Sequence, residues 1–173
     1  MIATGCAGKD ARPIPPVAKV DLPRFMGDWY VIANIPTFPE RNAYAATESY
    51  ALKPDGRVQT TYRYRKGSFD APVKTIHPVG TVRPGTGNAV WGMQFIWPIK
   101  AEYVIAYLAP DYSQTIIARN DRDYAWVMAR TPAIPEDEYQ QHMQRLHKWG
   151  YDIGKVRRVP QQPPGDGTSP ARP

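Results

Sequence analysis

A chain of 173 residues is long enough for one domain with a single sizeable core. Its net charge of +6 admits nucleic acid, an anionic surface or an anionic small ligand as partner. Nucleic acid is set aside because the sequence has no Lys/Arg block of five, no zinc-type Cys/His spacing and no RNP-like motif. One cysteine, Cys6, excludes an internal disulfide and a thiolate metal cluster.

In chain order, residues 1–19 read as a flexible arm with Pro13, Pro15 and Pro16, and 20–159 as the folded domain. Residues 160–173, with five prolines and two glycines, read as a disordered tail. Cys6 follows the small residues Ala3, Thr4 and Gly5, the pattern of a lipidated cysteine at the end of a bacterial lipoprotein signal. No stretch reaches the roughly 18–20 apolar residues of a spanning helix, so membrane attachment is expected only through such an anchor.

The domain opens with Gly27-Asp28-Trp29-Tyr30 and a strand over 29–35, stopped by Pro36 and Pro39. Strands follow over 44–52 and 57–65, joined by the turn Lys53-Pro54-Asp55-Gly56. Val58, Thr60, Tyr62 and Tyr64 then share one face by strict alternation. Further strands are expected over 73–83, 89–97, 102–108, 115–118 and 125–130. In the fifth, Trp91, Met93 and Phe95 share a face.

Eight strands with connections too short for parallel crossovers make successive strands antiparallel neighbours. The predicted fold is all-β, an eight-stranded antiparallel up-and-down barrel, with a C-terminal helix packed outside. That helix is read over 136–149, with Tyr139, Met143, Leu146 and Trp149 as its apolar stripe and Gly150 as its cap.

A barrel lined by aromatics, Met and Thr rather than close-packed aliphatics suits a ligand cavity. The residues expected to line it are Val31 and Ala33, then Val58, Thr60, Tyr62 and Tyr64. Trp91, Met93, Phe95 and Tyr103 complete that wall. A rim carrying Phe38, Arg41, Lys66, Phe69, Lys74 and Lys100 is expected to favour an anionic head group at the mouth.

Catalytic signals are sparse: no Gly-x-Ser-x-Gly turn is present, and His142 and His147 stand five apart, on different helix faces. No catalytic residue, metal or cofactor is expected. His77, the one barrel histidine, leaves open a haem or pigment carrier, and a lipid-modifying enzyme on the same barrel is the other alternative.

Gly27-Asp28-Trp29-Tyr30 resembles the Gly-x-Trp signature of the lipocalins, placed at the start of the first strand. Pro110-Asp111-Tyr112 resembles their Thr-Asp-Tyr motif, with Pro110 in place of Thr, and Arg130 resembles the arginine ending the last strand. The run from Asn120 to Pro132 is similar to that of bacterial lipocalins and their apolipoprotein D-like relatives.

This resemblance spans about Val20 to Val159. It implies a lipoprotein on the periplasmic side of the bacterial outer membrane, anchored through Cys6, that stores or carries fatty acids or lysophospholipids in membrane maintenance under stress. It implies a structural role for Gly27, Trp29, Asp111, Tyr112 and Arg130, and is compatible with a homodimer. Closure of the barrel is expected to lay Arg130 over the Trp29 indole.

Overall fold

The computed structural model describes residues 12–96 and 99–162. Cys6 and most of the predicted tail lie outside the described residues.

A one-turn helix, α1 (Leu22–Phe25), is N-capped by Asp21, whose carboxylate accepts from the Arg24 amide at 3.2 Å. The strands follow as β1 (Gly27–Ile35), β2 (Ala43–Leu52), β3 (Val58–Lys66), β4 (Val73–Ile76) and β5 (Val79–Val82). After them come β6 (Val90–Ile96), β7 (Ile99–Leu108), β8 (Gln114–Ala118) and β9 (Ala125–Ala129). Helix α2 (Glu136–Lys148) and a two-residue strand, β10 (Arg157–Arg158), end the described chain.

The strands pair antiparallel in the order β1-β2-β3-β5-β6-β7-β8-β9, and β1 also pairs with β9, which closes the sheet. The strand predicted over 73–83 is split into β4 and β5, both paired with β3. Pro78, which has no N–H for the ladder, stands at the break, so the two pieces fill one barrel position. Eight positions therefore make up the wall.

The first strand has two partners on one side. Gly27 to Tyr30 pair with β2, whereas Ala33 and Asn34 pair with β10. The C-terminal segment thus fills the seam where β1 and β2 part. Pro160 accepts from the Ala45 amide at 2.8 Å, and the Gln161 side chain donates to the carbonyls of Val31 and Ala46. The expected tail accordingly begins as part of the barrel wall.

Two apolar clusters divide the molecule. One fills the barrel and includes Phe25, Trp29, Trp91 and Met128. The other lies between the barrel's outer face and α2, where Tyr139, Met143 and Leu146 meet Ile32, Ile116 and Val127. Acidic residues in the first turn of α2 and basic ones in its last complement the helix dipole, and Gly150 at φ +87° takes the left-handed turn after it.

The arm expected to be flexible is docked from residue 12 onward. Ile14 is buried in the outer cluster, and the amides of Val17 and Val20 donate to Ile105 and Gly87 carbonyls. Gly87, at φ +59°, makes that docking fit, because a Cβ there would sit 2.0 Å from the Ala18 oxygen. Local proline content misled here because the partners of this segment lie far along the chain.

Candidate functional site

The two ends of the barrel differ in construction. At the closed end the Trp29 indole is fully buried and donates Nε1–H to the Phe25 carbonyl at 2.9 Å. Arg130 arrives beside it through the β1–β9 pairing and places its guanidinium carbon 3.8 Å from the ring centroid. The same guanidinium donates to the carbonyls of Arg24, Phe25, Met26 and Asp28 at 2.7–3.1 Å. Gly27 sits at φ +91°, a backbone conformation that residues with a side chain rarely adopt, while a Cβ there would only touch Arg130 Nη1 at 3.4 Å.

The motif around Asp111 and Tyr112 supports the same end. Asp111 accepts from the Ser113 amide and hydroxyl, shaping the β7–β8 turn, and Tyr112 accepts from the Asp21 amide at 2.9 Å. Arg24 stacks over the Tyr112 ring at 4.2 Å, so turn and α1 are joined.

Above this plug the rings of Phe25, Tyr50 and Trp91 make a floor. Phe25 meets Trp91 edge to face at 5.7 Å, and Trp91 stacks on Tyr103 at 5.2 Å. Over the floor opens a cavity of about 370 Å³. This lies in the lower part of the roughly 300–1,000 Å³ range of small-ligand sites.

Of the residues expected to line it, Thr60, Tyr62, Met93, Phe95 and Tyr103 do. Phe95 stands at the mouth, half exposed. Trp91, Val31 and Val58 are fully buried in the packed core below and do not line the cavity. Tyr64 packs against Tyr62 at 5.2 Å and is likewise outside the lining.

Ala33 faces the opposite way from the expectation. A bulge between Val31 and Ala33 inserts one residue, which shifts the alternation and turns Ala33 outward under α2. Asn34 takes the inward phase instead, opposite Trp126, and is buried with neither amide atom partnered among the described residues.

The expected cationic rim is also redistributed. Lys100 lies on the outer wall, its Nζ 3.5 Å from Thr81 Oγ1, and Phe69 packs edge-on against Tyr44. Phe38 remains at the mouth, strongly exposed, with Arg41 over its ring at 5.4 Å. Arg119 lines the cavity but is held by Asp123 at 3.1 Å and Asp121 at 3.5 Å.

The lining also holds three carboxylates outside the expected set, Glu40, Glu48 and Glu102. Glu40 accepts from Trp126 Nε1 and from the Thr37 amide, both at 2.8 Å. Glu48 stands at the inner end, paired with Trp29 on one side and Tyr62 on the other. It accepts from the Tyr50 hydroxyl, which in turn meets the Tyr103 hydroxyl.

Burial raises the Glu48 carboxyl to about 7; the Tyr50 hydrogen bond opposes the shift and the neighbouring Glu40 charge adds to it. Burial likewise drives the Tyr50 and Tyr103 hydroxyls well above their ordinary value. The signal available in sequence was parity with Tyr50, two residues on. It was obscured because β2 carries its own register shift between Tyr44 and Thr47.

His77 is exposed, 3.5 Å from Thr61 Oγ1, and the cavity lining contains neither histidine nor cysteine. On α2, His142 is buried and bonded to Gln114 at 2.6 Å, outside the barrel. The polar equipment of the cavity is therefore carboxylates, hydroxyls and one engaged guanidinium on aromatic walls.

A closed antiparallel barrel, plugged at one end and opening at the other into an aromatic cavity, defines a small-ligand-binding type of barrel. The lipocalin-like domain family matches residues 20–161, and the chain belongs to that family. It is 29% identical over 168 residues to temperature-induced lipocalin-1 of Arabidopsis thaliana, covering 89% of this chain and 87% of that protein. It is 28% identical over 161 residues to the outer membrane lipoprotein Blc of Escherichia coli (strain K12), covering 88% of each.

Bovine apolipoprotein D is 29% identical over 135 residues, covering 72% of this chain and 69% of that protein, which places the chain in the Blc and apolipoprotein D branch. Among solved structures, insecticyanin from Manduca sexta matches with a TM-score of 0.67 at 15% identity, over 88% of this chain and 86% of that one. That likeness supports the fold.

Proposed function

We propose that this protein binds and carries single-chain lipids, fatty acids or lysophospholipids, at the bacterial outer membrane. The observation that carries the reading is the cavity: about 370 Å³ of aromatic-walled space with one mouth and a packed floor. About ten buried methylenes contribute a gross ~8 kcal/mol before ordering costs, enough for micromolar binding without chemistry. The relatives named as outer membrane lipoproteins support the location and an acyl anchor on Cys6. A homodimer and a role in membrane maintenance under stress belong to the same reading.

Titration of delipidated protein with fatty acids and lysophospholipids tests it, alongside mass spectrometry of the protein made with a lipoprotein signal. The expected outcome is saturable one-site binding at micromolar concentration or below, extractable single-chain lipid, and an acylated Cys6. Absence of saturable binding to either lipid class overturns the carrier reading, and an unmodified Cys6 overturns the anchor.

A further inference from the structure

The inner end of the cavity is unlike the end of an acyl-chain tunnel. Where a methyl terminus would be met by aliphatic side chains, this one presents the Glu48 carboxylate, Thr60 and the Tyr62 hydroxyl. Tyr62 is 3% exposed, lines the cavity, and its hydroxyl has no hydrogen-bond partner among the described residues. A buried unpaired hydroxyl carries a desolvation cost that a native structure rarely leaves standing without a use.

Carboxylates outnumber guanidinium groups in the lining of the space. Glu40, Glu48 and Glu102 line it, while the lining guanidinium of Arg119 is paired with two aspartates and Arg157, whose charge reaches Tyr62, donates to the Ala43 carbonyl. The walls are π faces: Tyr62, Tyr103, Tyr124 and Trp126. Carboxylate and aromatic faces around one small volume are the two elements that recognise an alkylammonium group, by ionic hydrogen bonding and by cation–π attraction.

We propose that the inner cavity is a binding site for the ammonium end of a single-chain cationic amphiphile, with Glu48 as its counter-ion and Tyr62 as a further hydrogen-bond partner. This rests on the chain-binding reading above and goes beyond it, because the ionic end enters first and the alkyl chain runs out along Met93, Phe95 and Phe38 toward the mouth. A cation beside Glu48 favours its ionised form and so offsets the cost of burying that charge.

The test compares dodecylammonium, dodecanol and dodecanoate at pH 8 by isothermal titration calorimetry, in the wild type and in Glu48→Gln. The ammonium is expected to bind at least tenfold more tightly than the alcohol. In Glu48→Gln that lead is expected to fall to threefold or less, with the affinity for alcohol unchanged within twofold and that for dodecanoate unchanged or higher.

An ammonium that binds no better than the alcohol overturns the proposal. So does a variant that weakens all three ligands alike, since Glu48 then only maintains the structure. If Glu48→Gln does not fold, the wild-type series decides by itself. If alcohol and dodecanoate bind and the ammonium has no lead, this proposal falls and the carrier reading stands. If none of the three binds, both fall.

Discussion

The two ends of this barrel are built from the same residue types to opposite standards of completeness. At the closed end the Trp29 indole N–H has its carbonyl, and the Arg130 guanidinium spreads its donors over four more. A few residues higher, the Tyr62 hydroxyl and the Asn34 amide are buried without partners among the described residues, and Glu48 is held near a pKa of about 7. Packing and hydrogen bonding that agree at every level specify a fold, and local departures from that agreement mark where something other than stability was selected. The Gly-Asp-Trp-Tyr signature therefore belongs to the architecture, and ligand chemistry is concentrated one layer above it.

The largest expected effect is at the boundary between the two regions. Trp91 is fully buried, stacks on Tyr103 and donates its indole N–H to the Asn88 carbonyl at 2.7 Å. Trp91→Ala should destabilise the fold by about 3–5 kcal/mol, read as a lower urea midpoint. A loss below about 1 kcal/mol would mean that the floor is a loose extension of the cavity, and the contrast between the ends would disappear.

Trp91 also shows what one sequence can and cannot disclose. Alternation puts Trp91 and Met93 on one face because β6 pairs with β7 without interruption from Val90 to Gln94, and Phe95 stays on the cavity side although it lies at the register shift that follows. Depth along the barrel axis has no period, so a single inward stripe was read as cavity lining when it runs from packed floor to open mouth. Ala33 was missed for a different reason: a bulge leaves no compositional mark, yet it reverses every residue after it. Glu48 escaped because burying a carboxylate runs against the usual preference of charged residues for the surface.

A pH series tests the contrast through its titratable groups. The Glu48 carboxyl is raised from 4.5 to about 7 in the fold. Its favourable contribution is therefore complete below about pH 4.5 and is lost as pH rises toward 7. His142 runs the other way: burial, with the Arg145 charge beside it, lowers it from 6.5 to about 4. Its contribution is present above about pH 6.5 and lost as pH falls toward 4, so the two partly cancel between those limits.

Glu48→Gln removes one side of that balance. The variant should be more stable than wild type by about 2–3 kcal/mol at pH 8 and equal to it near pH 4.5, with a steeper fall on the acid side. Urea midpoints at three pH values check this. Parallel curves for the two proteins would show that Glu48 is as comfortably solvated as a surface carboxylate, and the cavity would lose its distinctive polar end.

The smallest effect separates two tyrosines that face the same space. Tyr103 offers its hydroxyl to Tyr50, whereas the hydroxyl of Tyr62 has no hydrogen-bond partner among the described residues. Removing a made hydrogen bond costs about 1 kcal/mol, while removing an unpaired buried hydroxyl is neutral or stabilising by up to about 1 kcal/mol. Tyr103→Phe should therefore unfold at lower urea than wild type and Tyr62→Phe at equal or higher urea, although the substitution and the ring burial are the same. If both variants lose stability equally, Tyr62 has a structural partner and its hydroxyl is not reserved for a ligand. If they divide as expected, no described residue pairs with the Tyr62 hydroxyl, and that hydroxyl is available to a ligand in the cavity.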